Sequence, residues 1–253
     1  MPARRLFHAI PAPMPRPARA FAFAAVLSIG AVLACAAQAA DATAAGARAA
    51  SRPDAAAIRD WNREAFERYE AGETARALAL FRRAARSGDA SARYNVAVIR
   101  LREESRRPSV AEAVAMLRAS AAAGFAPAQH MLAAMLESGR HVAVSQSEAT
   151  AWYAKAAEQG HIDAQISLAT QYYLGRGVAQ DYAQAARWYE RAADGGDVAA
   201  QYLIASMYET GLGVGKDLRA ALDWYSAAAR QGDDAARPKA REIAERLARE
   251  RDS

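Results

Sequence analysis

Cysteine and histidine are scarce: the chain has one cysteine, Cys35, and four histidines in 253 residues. A single thiol excludes any intramolecular disulfide framework, and a thiolate zinc cage is excluded with it. His8, His130, His141 and His161 are scattered and have no carboxylate or cysteine at ligand spacing, so no metal site is expected. The G-x-S-x-G elbow, the P-loop and the dinucleotide fingerprint are all absent. Glu103 and Glu104 are paired only by adjacency, in a polar loop, and read as solvated surface. These absences predict a protein that is not an enzyme and carries no cofactor.

Acid is missing from the first 40 residues, which hold Arg4, Arg5, Arg16 and Arg19. The whole chain has 33 Lys+Arg against 28 Asp+Glu, so without that segment 29 basic side chains face 28 acidic ones. The basic balance therefore belongs to the N-terminus, and no nucleic-acid partner is expected. The uncharged run Ala20–Ala34 is too short to span a bilayer comfortably, which takes about 20 residues. A basic stretch, an apolar run and the small-residue site Ala37-Gln38-Ala39 together read as a secretory signal peptide over 1–39, cut after Ala39 or Ala40. Arg4-Arg5 fits an ordinary basic region better than a twin-arginine signal, because the apolar run starts too far downstream. This predicts a periplasmic protein with no transmembrane span in its mature chain. The alternative is a lipid anchor at Cys35, since Val32-Leu33-Ala34-Cys35 resembles a lipoprotein processing box despite Leu33. Residues 40–52, rich in Ala, Gly and Ser, read as a flexible linker.

What the chain has in abundance is repetition. Gly88, Gly124, Gly160, Gly196 and Gly232 fall 36 residues apart, as do Ala92, Ala128, Ala164, Ala200 and Ala236. The glycine suits a helix end at positive φ, and the alanine suits a close helix–helix approach. Each unit then has a Leu-type residue (Val96, Leu132, Leu168, Ile204) followed by alanine, and four positions on Arg100, Leu136, Tyr172 or Tyr208. A loop with Gly139, Gly175 or Gly211, and in two units a second glycine at Gly177 or Gly213, leads to Val142, Val178 or Val214. The second helix is expected to open on Ser109, Ser145, Asp181 or Asp217 as N-caps, with capping boxes Ser109–Glu112 and Ser145–Glu148. Its buried face runs through Ala185, Trp188, Tyr189, Ala192, Ala193 and their equivalents, so at least one member of each Trp-Tyr pair is expected to be structural. The recurring Gly175-Arg176-Gly177 and Gly211-Leu212-Gly213 sit between helices and read as turns, not phosphate cradles. Residues 53–87 read as an N-terminal capping helix pair, 88–123, 124–159, 160–195 and 196–231 as four repeats, and 232–253 as a C-terminal capping helix striped by Ala236, Ala240, Ile243 and Leu247.

The set Ala164, Leu168, Tyr172, Gly175, Gly177, Val178, Asp181, Ala185, Trp188, Tyr189, Ala192, Ala193 and Gly196 resembles a Sel-one-like repeat, the 36-residue relative of the tetratricopeptide repeat. The first unit departs most, with Glu103, Ser105, Arg106 and Pro108 in its loop and Met116-Leu117 for Trp-Tyr. The resemblance implies an all-α, right-handed superhelical solenoid of antiparallel helix pairs that serves as a protein-interaction scaffold. It also implies that the first helices line a concave groove. The columns off the packing stripe would then bind a protein or peptide: Tyr94, His130, Ile166 and Tyr202; Val98, Thr170 and Ser206; and Leu101, Glu137, Tyr173 and Glu209. The other reading of Tyr94, Ile166 and Tyr202 is packing between adjacent first helices. Two further functions stay open at this point. One is a cell-envelope enzyme or wall-fragment binder using His141 or Glu137, and the other is a small self-associating structural protein.

Overall fold

The computed structural model describes residues 53–102 and 107–251, and within them eleven helices and no strand occur. The expected signal peptide, Cys35 with the stretch that resembles a processing box, the expected linker and the Glu103-Glu104 pair lie outside the described residues. In chain order the helices are α1 (Ala55–Glu70), α2 (Thr74–Arg86), α3 (Ala90–Arg102), α4 (Arg107–Ala122), α5 (Ala126–Ser138), α6 (Gln146–Glu158), α7 (Ile162–Leu174), α8 (Tyr182–Asp194), α9 (Val198–Thr210), α10 (Leu218–Arg230) and α11 (Ala236–Arg251). Successive helices pair as hairpins, α1 with α2 through α9 with α10. Each second helix also packs on the first helix of the next pair. The result is a right-handed solenoid with no single centre, in which every unit shares its core with its neighbours.

The unit boundary follows from two adjacent requirements. Gly88, Gly124, Gly160, Gly196 and Gly232 adopt φ between +84° and +98°, a conformation that costs a residue with a Cβ. The chain there turns sharply enough for the next helix to begin two residues later at the first four of these glycines, and at Ala236 after Gly232. Ala92, Ala128, Ala164, Ala200 and Ala236, all at 0% exposure, let that new helix settle directly on the preceding pair. Val96, Leu132, Leu168 and Ile204 fill the remaining space at 1% exposure or less, each worth roughly 1.5–3 kcal/mol over an exposed side chain.

Helix starts are specified locally. The carboxylates of Asp181 and Asp217 cap α8 and α10, accepting from the Gln184 amide at 2.9 Å and the Ala220 amide at 3.0 Å. Ser145 accepts from the Glu148 amide at 3.4 Å, which is half of the expected capping box. The other half is not made, because the Ser145 amide donates to the Leu136 carbonyl at 2.9 Å and closes the hairpin instead. Asp181 and Asp217 close theirs in the same way, onto Tyr172 and Tyr208. Ser109 is not an N-cap: α4 begins at Arg107, with Pro108 in its first turn, where a missing amide hydrogen costs nothing. That unit lacks the loop glycines of its neighbours, and its helix starts earlier.

The second loop glycine has a specific task. A Cβ on Gly177 would lie 2.2 Å from the Gln146 carbonyl oxygen, and one on Gly213 would lie 2.2 Å from that of Tyr182. Each loop thus rests on the start of the preceding unit's second helix, backbone against backbone. Gly160, by contrast, has open space around it. Gly160→Ala should cost about 1 kcal/mol from its positive φ alone. Gly177→Ala should cost about 3 kcal/mol or more, because two backbones must separate. Urea unfolding of the two variants checks the difference.

Candidate functional site

The buried member of each Trp-Tyr pair is the tyrosine. Tyr153, Tyr189 and Tyr225 sit in the core while Trp152, Trp188 and Trp224 stay half-buried. Lys155 and Arg191 lie over the rings of Trp152 and Trp188 at 4.1 and 4.6 Å, one turn along the same helix. The tyrosine hydroxyls emerge from the core at the first helix of their own unit. Tyr153 donates to Glu137 Oε2 at 2.8 Å, Tyr225 donates to Glu209 Oε2 at 2.8 Å, and Tyr189 shares a hydrogen bond with Thr170 at 2.9 Å. The expected binding columns are therefore anchored from beneath by the second helices. Burial, and then the facing carboxylate, pushes the phenols of Tyr153 and Tyr225 above the usual tyrosine range, so both remain donors.

The two glutamates are each tied to the following unit. Glu137 Oε1 accepts from Gln171 Nε2 at 2.8 Å and lies 4.0 Å from Arg176 Nη1. Glu209 Oε1 takes Lys239 Nζ at 3.2 Å and Arg246 Nη1 at 3.7 Å, both from α11. Burial works against the charge on Lys239, but Glu209 and Glu242 outweigh it and raise its pKa. These acids brace consecutive helices. Between them, where Glu137 and Glu209 have their counterpart, stands Tyr173, edge-on to Tyr182 at 5.2 Å and partly exposed.

The other expected residues separate into two groups. Val98 and Leu101, at 8% and 5% exposure, belong to the core, so the start of the expected groove is closed by packing. Tyr94, His130, Ile166, Thr170, Tyr202 and Ser206 are partly exposed. Tyr94 meets Phe125 and Tyr202 meets Tyr225, both edge-on. These tyrosines combine packing with partial exposure rather than choosing between the two. His141 takes the place of the second loop glycine at φ +65°, and Arg140 Nε donates to its Nε2 at 3.3 Å.

Two features escaped the sequence reading. Gln129, Gln165 and Gln201, buried and 36 residues apart, donate to Ala121, Ala157 and Ala193, carbonyls at the end of the preceding second helix. Each of these carbonyls also accepts the backbone amide of the turn glycine, Gly124, Gly160 or Gly196, so the glutamine supplies a second bond to a helix-terminal oxygen and ties the new helix to the one before it. Gln159 and Gln231 add a second tier by donating to Gln129 and Gln201. The third member of that tier is Gly195, and Gln165 Oε1 is left buried without a partner. The period alone could have flagged the glutamines. The second feature, a stack of His130 on His161 with centroids 4.9 Å apart, joins residues with no shared period. Gln201→Leu, which removes two hydrogen bonds, should destabilise by about 1 kcal/mol more than Gln165→Leu, which removes one; chemical denaturation of both variants gives the comparison.

Comparison with known proteins places this geometry. The Sel1 repeat model matches residues 73–89, 126–161, 162–197 and 198–233, passing over the divergent unit between the first two matches. A protective antigen of uropathogenic Escherichia coli strains, displaying an SLR fold, is similar over 74% of this chain at 30% identity with a TM-score of 0.68. The present chain spans 41% of that antigen's length. A Sel1 repeat protein from Oxalobacter formigenes is similar over 71% of this chain and 75% of its own, at 27% identity and a TM-score of 0.63. No curated protein sequence matches significantly.

Proposed function

The chain belongs to the Sel1-repeat proteins, and we propose that it is an exported, non-catalytic scaffold that holds a segment of a partner protein along its first helices. Sel1 repeats suggest protein interaction, and among the described residues no group of three or more His, Cys, Asp or Glu is placed to hold a metal ion. The observation that carries the reading is the row of partly exposed side chains on consecutive first helices. Ile166, Thr170 and Tyr173 on α7 are followed in register by Tyr202 and Ser206 on α9. Aromatic groups held from beneath lose little freedom on binding, which favours them as anchors for a peptide. Glu137 and Glu209 hold that row in place through their own bonds to neighbouring helices. The binding surface is thus centred on α7 and α9, with Tyr94 and His130 extending it toward the N-terminus.

The basic stretch, apolar run and Ala37-Gln38-Ala39 site support export to the periplasm. No helix among the described residues is long and apolar enough to cross a membrane. Mass spectrometry of the mature protein from an envelope fraction should give an N-terminus at Ala40 or Asp41. A lipid-modified N-terminal Cys35 would instead establish the anchored form.

For the surface itself, crosslinking in the envelope fraction followed by affinity capture should retrieve a defined partner. The combined variant Tyr173→Ala with Tyr202→Ala should lower its capture at least about tenfold while keeping the wild-type helical circular dichroism. Undiminished capture by the folded variant would move the binding surface elsewhere on the solenoid.

A further inference from the structure

We propose that the His130–His161 stack is an acid-sensitive joint, through which the 124–159 and 160–195 units loosen as the pair takes up protons while the C-terminal units stay packed. At the position of His130 the other units carry Tyr94, Ile166 and Tyr202. At that of His161 they carry Asp89, Phe125, Asp197 and Asp233. The two departures from the repeat face each other across a unit boundary, ring on ring at 4.9 Å and 21°. The other face of the arrangement is aromatic, with Tyr153 5.6 Å from His130.

Protonation acts on this joint in three ways. The first concerns the cap of α7: His161 Nδ1 accepts from the Ala164 amide at 3.3 Å. Asp197 and Asp233 do the same for Ala200 and Ala236 at 2.8 Å through carboxylate oxygens. A protonated imidazole has hydrogen on both nitrogens, so the acceptor becomes a donor aimed at another donor. The second is charge at the helix end, because a cation at the start of α7 opposes the helix dipole. The third is that two stacked imidazolium rings repel each other at close range.

The groups facing the pair work in both directions. Asp163 in the first turn of α7 and Glu137 on α5 favour protonation, while burial opposes it. Tyr153 on α6, its phenol held neutral, supplies no charge. Burial first, and then the other ring, holds His130 down to about 4; burial also lowers His161. An opened joint returns each ring to its ordinary value near 6.5. Below that value the open state binds more protons than the closed one. The closed joint therefore keeps its full stability above about pH 6.5 and loses it progressively as pH falls toward 4.

Amide hydrogen exchange at pH 7.5 and 5.0, corrected for intrinsic rates, tests this above the ordinary carboxylate range. Amides of α5 to α7 should show opening constants about 30-fold larger at pH 5.0, and those of α9 to α11 a change below about 3-fold. The variant His130→Ile with His161→Asp, residues the chain itself uses at Ile166 and Asp197, should hold α5 to α7 within about 3-fold across the same range. A uniform rise along the solenoid, or an unchanged pH response in the variant, overturns the proposal. So does an NMR titration placing both rings at about 6.5 in the closed protein.

Discussion

The whole array depends on how one helix hairpin gives way to the next. A helix that stops inside a protein leaves carbonyl groups without partners, and a following helix that begins at once must lie close to the helix it leaves. Three residue types meet both demands here. A glycine at positive φ turns the chain and donates its own amide to a helix-terminal carbonyl, an alanine at 0% exposure admits the new helix, and at three junctions a glutamine one residue later adds its side-chain amide to that same carbonyl. The junction is self-contained, so it can be repeated without a common centre. Stability is then shared between neighbours, and a weak joint is felt locally.

The first-helix face is built on top of this frame. Tyrosines rooted in the second helices send hydroxyls up to Glu137, Thr170 and Glu209, and each glutamate reaches forward to the next unit. Side chains that look available on a helical wheel are thus committed to the solenoid. The surface left over is narrower than the columns imply and more aromatic, and it lies toward the middle and C-terminal units. The same network explains how a terminal helix with few apolar groups docks: Lys239 and Arg246 of α11 converge on Glu209 while Ala236 and Ile243 fill the core.

Much of this was legible in advance, and the exceptions share a cause. Asp181 and Asp217 cap as expected, since capping is decided within four residues. Ser109 does not: its unit lacks the loop glycines of its neighbours, and α4 begins at Arg107. Val98 and Leu101 share a repeat position with partly exposed residues elsewhere, but the divergent first unit buries them. The buried glutamines recur at the same period, but a polar column by itself does not distinguish surface from core. Their burial is intelligible only once the helix ends they serve are in place.

Sequence alone determined the all-helical class, the unit length, the helix ends of the units that keep their loop glycines and the small-residue contacts, because each rests on backbone constraints that act within one turn or recur at a fixed period. Tertiary structure decided which polar residues are bonded and which remain exposed, because that depends on what stands opposite across a unit boundary. Glu137 and Tyr173 occupy equivalent positions, yet one is a brace and the other a partly exposed aromatic edge. His130 and His161, 31 residues apart and out of period, became a pair only when two helices brought their rings within 4.9 Å.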